Sequence, residues 1–355
     1  EEVTALLAEN SCTTTLQDRE RFATYAFGVS AHYDTSIFNY FNREKVVSSF
    51  KSSVDTSTVL RYGENPHQEG HFYGKLSDLL EQLNGKPLSY NNLVDIDAAI
   101  SLIEEFRGDT AFAILKHTNA CGAAIAESVK EAYLRAFEAD TTSAFGGVLI
   151  TNATLTADAA EEINKLFFEV LIAPDYEPAA LELLSGKKNR ILLKQKSDLD
   201  TTKMFKSLLN GVIEQDKDLH TDDLSDLKFV TELQPSDEQI KTLLFASKLC
   251  KHTKSNGIVL AKNGQLLASG VGQTSRVDAL RQAIEKANKF GFDLNGAVLA
   301  SDAFFPFADS VEIAHGVGIS DIIQPGGSVK DTDSIEYCNS HNMAMVFTGI
   351  RHFKH

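Results

Sequence analysis

The chain has 355 residues, 43% hydrophobic and 23% charged, and 34 Lys+Arg against 49 Asp+Glu leave a net charge of −15. That length predicts two domains, and that composition excludes a disordered or low-complexity chain. No apolar run approaches the ~18 residues of a membrane span and no window concentrates Lys and Arg, so neither a membrane nor a nucleic acid is an expected partner.

Residues 14–42 carry helical periodicity, with Leu16, Phe22, Tyr25, Ala26 and Val29, then Tyr33, Ile37, Phe38 and Phe41, which predicts two helices broken near Ser30. Ser48–Thr58 is small and polar and reads as a linker. Strands and helices then alternate. Ala111–Leu115 and Gly147–Thr151 read as buried strands. Ser128-Val129-Lys130-Glu131 is a capping-box pattern opening a helix, and Ala157–Phe168 is amphipathic. The alternation predicts an α/β fold with a mainly parallel sheet.

The acidic stretch 195–237 reads as a solvated boundary between two lobes. Ser236-Asp237-Glu238-Gln239 caps the next predicted helix. Asn263-Gly264 between Gly257–Ala261 and Gln265–Ser269 signals a hairpin, because a type I′ turn needs φ > 0 twice. Ser275 caps a helix that ends at Gly291, and Ala297–Ala300 and Met345–Phe347 read as strands.

Two short echoes suggest an internal duplication with a ligand cleft between its halves. Lys116-His117-Thr118 recurs as Lys251-His252-Thr253, and Ser143-Ala144-Phe145-Gly146-Gly147 resembles Ser301-Asp302-Ala303-Phe304-Phe305. The four cysteines, Cys12, Cys121, Cys250 and Cys338, are far apart, which reads as free thiols in a reducing cytoplasm. Gly270-Val271-Gly272 and Gly316-Val317-Gly318 do not complete a dinucleotide fingerprint.

Four polar segments could carry chemistry. Lys116-His117 ends an apolar strand, where a His accepts a proton near neutral pH and a Lys stabilises an oxyanion; the alternative is a strand end facing solvent. Arg61–Gln68 offers a guanidinium fork in a Gly/Pro-shaped turn, or is an ordinary polar loop. In Ser301–Phe307, two of the three phenylalanines are expected in the core and one against a flat heterocycle. The chain ends Arg351-His352-Phe353-Lys354-His355, a tail either docked in a site or disordered.

Taken together, RYGENPHQ (61–68), LKHTNACGAA (115–124), SAFGG (143–147), IAPDYE (172–177), KSNGIV (254–259), GQTSR (272–276), SDAFFPFADSVE (301–312), IIQPGGS (322–328) and GIRHFKH (349–355) resemble the transformylase part of the AICAR transformylase/IMP cyclohydrolase family over about residues 12–355. The resemblance implies formyl transfer from 10-formyltetrahydrofolate, a co-substrate, to the 5-amino group of AICAR (aminoimidazole carboxamide ribonucleotide). The products are FAICAR and tetrahydrofolate, and the chemistry requires no metal.

By the same resemblance His117 is the general base, Lys116 its transition-state partner and Asn256 an orienting group. Arg61, Tyr62 and Arg351 hold the nucleotide with Asn92. Gly146, Glu169, Arg276, Phe304, Asp309, Phe353 and His355 surround the imidazole and folate. The implied fold is a pair of cytidine-deaminase-like α/β/α lobes, 53–205 and 206–355, after a helical remnant of the cyclohydrolase domain with its linker in 1–52. Cyclohydrolase activity is therefore not expected; either the chain is cut from a longer one or the organism supplies that activity separately. The implied assembly is a cytoplasmic homodimer with shared sites. The competing readings are a catalytically silent nucleotide-binding module and, disfavoured by missing ligand spacing, a zinc deaminase.

Overall fold

A computed structural model describes residues 1–355. In chain order the elements are α1 (Glu2–Glu9), α2 (Leu16–Phe41), β1 (Ser57–Val59), β2 (His71–Tyr73), α3 (Leu76–Leu79), β3 (Leu80–Asn84), α4 (Tyr90–Ile103), β4 (Thr110–Lys116), β5 (Asn119–Ala126), α5 (Val129–Glu138), β6 (Val148–Thr151), α6 (Ala157–Ile163), β7 (Val170–Ala173), α7 (Pro178–Ser185) and β8 (Ile191–Gln195). There follow β9 (Lys203–Leu208), β10 (Gly211–Asp216), β11 (Lys228–Phe229), α8 (Asp237–Lys251), β12 (Ile258–Lys262), β13 (Gln265–Gly270), α9 (Arg276–Lys289), β14 (Val298–Ser301), α10 (Asp309–Gly316), β15 (Asp321–Gln324), α11 (Asp331–Ser340) and β16 (Ala344–Phe347).

The fold is α/β, built on one mixed sheet of 12 strands in the order β11-β16-β15-β14-β12-β13-β5-β4-β6-β7-β8-β3. Parallel pairing is confined to β6-β7-β8 and β14-β15-β16. The middle is antiparallel, so the expected mainly parallel sheet is corrected. The reason is local: β4–β5 and β12–β13 are tight hairpins, and a two-residue turn can only join antiparallel strands.

The same order of elements occurs twice. A helix (α4, α8) precedes a hairpin (β4–β5, β12–β13), and a helix (α5, α9) leads to three strands joined by two further helices. The halves meet at β5 and β13, where Gln265 opposes Ala124 and the Ile125 amide donates to Gly264 O at 2.9 Å. The short sequence echoes do not follow this repeat. Lys116-His117-Thr118 is the β4–β5 turn, whereas Lys251-His252-Thr253 ends α8; Ser143–Gly147 precedes β6, whereas Ser301–Phe305 follows β14.

Strand periodicity builds three layers. Ala113 and Leu115 of β4 and Val259 and Ala261 of β12 join one core under α4 and α8. Phe112 and Ile114 face a second core under α5–α7, and Ile258 and Leu260 a third under α9–α11.

The predicted caps hold: Ser128, Ser236 and Ser275 accept from the amides of Glu131, Gln239 and Asp278. Asn263 and Gly264 stand at φ 51° and 69°, as a type I′ turn requires. Other expectations are corrected. Helix α2 runs unbroken through Ser30 and buries no residue, and α1 was not anticipated. Helix α6 stops at Ile163, because Phe167 turns back to accept the Gly146 amide at 2.8 Å before β7 begins. The 195–237 stretch is not simply solvated: it holds the exposed β9–β10 hairpin, and the 205/206 boundary falls within β9, while Asp222 is buried. All four cysteines are free, with Cys12 alone exposed.

Candidate active site

Three loops converge from the first repeat. The β4–β5 turn holds Lys116 at the strand end and an exposed His117 beyond it. His117 and Thr118 both occupy the left-handed region, at φ 51° and 65°. Neither is glycine, and a β-branched residue there is strained. Lys116 Nζ donates to Phe145 O at 2.9 Å and Gly146 O at 3.1 Å, which leaves one of its three donors free. Gly146 has φ 68°, and a Cβ there would stand 3.2 Å from that Nζ.

Beside this loop Glu169 precedes β7. Its Oε2 accepts from Asn92 Nδ2 at 3.3 Å and lies 3.5 Å from Lys86 Nζ. Buried Asn92 also closes the α4 capping box with Ser89. Next to it, Asn91 Nδ2 donates to Glu64 O at 3.0 Å, tying the 61–68 loop to the first turn of α4. In that loop the Arg61 guanidinium reaches only its neighbour, donating to Tyr62 Oη at 3.0 Å.

The second repeat supplies the facing segment. Asn119 Oδ1, just past the turn, accepts the Lys254 amide at 2.9 Å. Two residues on, Asn256 donates to Gln273 O at 2.9 Å and accepts from Arg276 Nη2 at 3.0 Å. The same nitrogen pairs with buried Asp302 at 2.7 Å, and Nη1 reaches Phe304 O at 3.2 Å. The carboxy-terminal tail is docked here: Ser255 donates its amide to Lys354 O at 2.9 Å, and the His352 amide donates to Asp302 O at 3.0 Å. His352 is buried on Asp218 at 2.6 Å and Asp222 at 3.4 Å. Arg351 lies over the Phe353 ring at 4.3 Å and Phe353 meets His355 at 5.6 Å, leaving that guanidinium without an acidic partner.

The Lys116–Gly146 contact and the Asn92–Glu169 pair are linked by the Glu169 amide, which donates to Gly147 O at 3.1 Å, and Asn256, Arg276 and the tail form a second cluster tied to the β4–β5 turn through Asn119. Asp309 starts α10 and bonds only its neighbour Ser310. Of the three phenylalanines only Phe305 is buried, so the expectation of two in the core is corrected: Phe304 and Phe307 are exposed.

The chain matches the AICARFT/IMPCHase bienzyme family over residues 1–286. It is 59% identical over 350 residues to the bifunctional purine biosynthesis protein PurH of Bacteroides thetaiotaomicron, covering 99% of this chain and 69% of that protein. The chain belongs to the AICARFT/IMPCHase bienzyme family. PurH of Aquifex aeolicus is 47% identical, over 96% of this chain and 69% of its own, and PurH of Caldicellulosiruptor saccharolyticus 46%, over 96% and 68%. Among solved structures, a Thermotoga maritima diaminohydroxyphosphoribosylaminopyrimidine deaminase/5-amino-6-(5-phosphoribosylamino)uracil reductase is 22% identical, with a TM-score of 0.23 over 31% of this chain and 35% of that one, too slight a likeness to bear on the fold.

In this family member several groups around the site had no sequence signal. Asp95 on α4 accepts the Thr118 amide at 2.7 Å. Glu105, at the end of the α4 region, accepts from Lys251 Nζ at 2.6 Å and pairs with His252 Nε2 at 2.9 Å, clamping the two repeats together. Burial opposes ionisation of Glu105, but the hydrogen bonds and charges of His252 and Lys251 outweigh it and hold the carboxyl down to about 2. Burial also keeps His252 below its ordinary pKa, against the opposing hydrogen bond and charge of Glu105.

Proposed function

We propose that this chain moves the formyl group of 10-formyltetrahydrofolate onto the 5-amino group of AICAR, giving FAICAR and tetrahydrofolate in purine biosynthesis. The observation that carries this reading is the Lys116–His117 pair: an exposed imidazole on a strained turn, beside an ammonium with one donor unspent. Membership of a family whose members are named for this chemistry supports the choice of substrates.

The AICAR amine is a poor nucleophile, since its lone pair delocalises into the ring and carboxamide. His117 takes an amine proton as nitrogen attacks the formyl carbon, and the free N–H of Lys116 stabilises the oxyanion of the tetrahedral intermediate. The bond from the formyl carbon to folate N10 then breaks, and the proton held by His117 passes to N10. As proposed, no step needs a metal. Arg61 and Arg351, cations without an acidic partner in a chain of net −15, take the nucleotide phosphate. Asn256, oriented by Arg276, aligns the reacting groups.

The finer architecture belongs to the same proposal: cytidine-deaminase-like lobes in a cytoplasmic homodimer. The uncovered apolar side chains of α2, with Phe27 at 73% exposure and Phe41 at 76%, and of the β9–β10 turn, with Leu209 at 97%, support protein partners for these surfaces. No helix is long and apolar enough to cross a membrane.

The test is incubation with AICAR and 10-formyltetrahydrofolate, followed by tetrahydrofolate release. AICAR-dependent release supports the reading. AICAR binding without turnover overturns it in favour of a silent nucleotide-binding module.

A further inference from the structure

We infer that Asp95 is a positioning residue for this site: its carboxylate holds the left-handed His117–Thr118 turn through the Thr118 amide and so fixes the aim of the His117 imidazole. What His117 then does rests on the formyl-transfer reading; the holding of the turn does not.

Both halves of the chain make the same two-residue hairpin at the same place. In the second repeat Asn263-Gly264 fills it at φ 51° and 69°, a pair that adopts the left-handed region at little cost. In the first repeat His117-Thr118 fills it at φ 51° and 65°. Local preference therefore opposes the observed turn, above all at β-branched Thr118, and such strain persists only where surroundings over-determine it. The one side chain that accepts a turn amide is Asp95, with Oδ1 2.7 Å from Thr118 N. The other contacts are local: Thr118 Oγ1 and Asn119 Nδ2 both donate to His117 O, at 2.6 and 2.9 Å.

Asp95 is well placed to act as an anchor. It sits on α4 three residues after Asn92, hence on the same face, and Asn92 bonds Glu169. One helix thus sets the turn that carries His117 and, through Asn92, holds the Glu169 carboxylate. Burial raises the Asp95 pKa, opposed by the Thr118 amide and the charges of His117 and Lys116, while Glu169 adds to the rise. Those are the charged groups that face it.

The test combines kinetics with hydrogen exchange of the peptide spanning 115–120 in the unliganded protein. Asp95→Ala is expected to lower kcat on the order of 10- to 100-fold, the loss typical of a misaimed catalytic group, with KM for AICAR nearly unchanged. Asp95→Asn keeps an acceptor and is expected to recover most of that kcat. Adding Thr118→Gly to Asp95→Ala removes the strain and is expected to restore activity in part. Exchange at Thr118 is expected to be slow in the wild type and Asp95→Asn and fast in Asp95→Ala. If Asp95→Ala does not fold, Asp95→Ser, too short to reach the amide, replaces it. Unchanged exchange in the truncated variant overturns the inference whatever the enzyme's activity, as does wild-type kcat. A wild type that transfers no formyl group overturns the functional reading alone, and exchange then decides the role of Asp95.

Discussion

Arg276 donates to Asp302 across 2.7 Å, and the aspartate side chain is wholly out of solvent. Asp302 also accepts from Ser255 Oγ at 2.6 Å and the Gly257 amide at 3.0 Å. The ion pair thus anchors the segment that carries Asn256, and both terminal guanidinium nitrogens are committed to protein acceptors, while the buried Nε has no partner. Removing one member of a buried pair leaves the other charge uncompensated, at ~3–5 kcal/mol. Asp302→Ala is expected to lose stability of that order in urea unfolding. Arg276→Lys is expected to recover little, because one ammonium cannot reach Asp302, Asn256 and Phe304 O as the fork does. Wild-type stability in both variants would mean that the pair is not a strut.

The docked tail predicts a pH dependence. Burial lowers the His352 pKa, but hydrogen bonds and charges from Asp218 and Asp222 outweigh it and lift the imidazole to about 9. A folded pKa above the ordinary value of about 6.5 gives stability that is complete below that value and lost as pH rises through the folded one. Unfolding free energy, compared between wild type and His352→Gln, is expected to differ most at pH 6. The difference should shrink by on the order of 2 kcal/mol toward pH 9. A pH-independent difference would contradict the ion pairing.

Gly122 lies in β5 under α5, where a Cβ would stand 1.9 Å from Ala136 O. The obstacle is helix backbone and cannot rotate aside. Gly122→Ala is expected to cost ~1–3 kcal/mol, the range for overpacking, in thermal or urea unfolding. Gly108→Ala, with nothing within 4 Å but φ 99°, is the control for backbone strain alone. Equal losses would show that helix approach is not what requires glycine at 122.

What was legible in the sequence was local. Ser128, Ser236 and Ser275 cap helices because a hydroxyl and an amide three residues apart meet without help from the rest of the fold. Asn263-Gly264 announced its turn for the same reason. His117-Thr118 makes that turn against its own preference, so its geometry was hidden although the residues were singled out. The predicted break at Ser30 failed because a lone serine does not end a helix. Asp95, Asp302 and Glu105 were unreadable because their partners lie 23, 26 and 146 residues away. The K-H-T echo misled because three residues can recur by chance, whereas the repeat lies in the order of strands.

The proposed roles of Lys116 and His117 in formyl transfer are tested most directly by kcat and KM for AICAR in His117→Ala beside the wild type. General-base catalysis typically contributes ~10²- to 10⁴-fold, so kcat is expected to fall within that range while KM stays close to wild type. Turnover at the wild-type rate in His117→Ala would contradict the account.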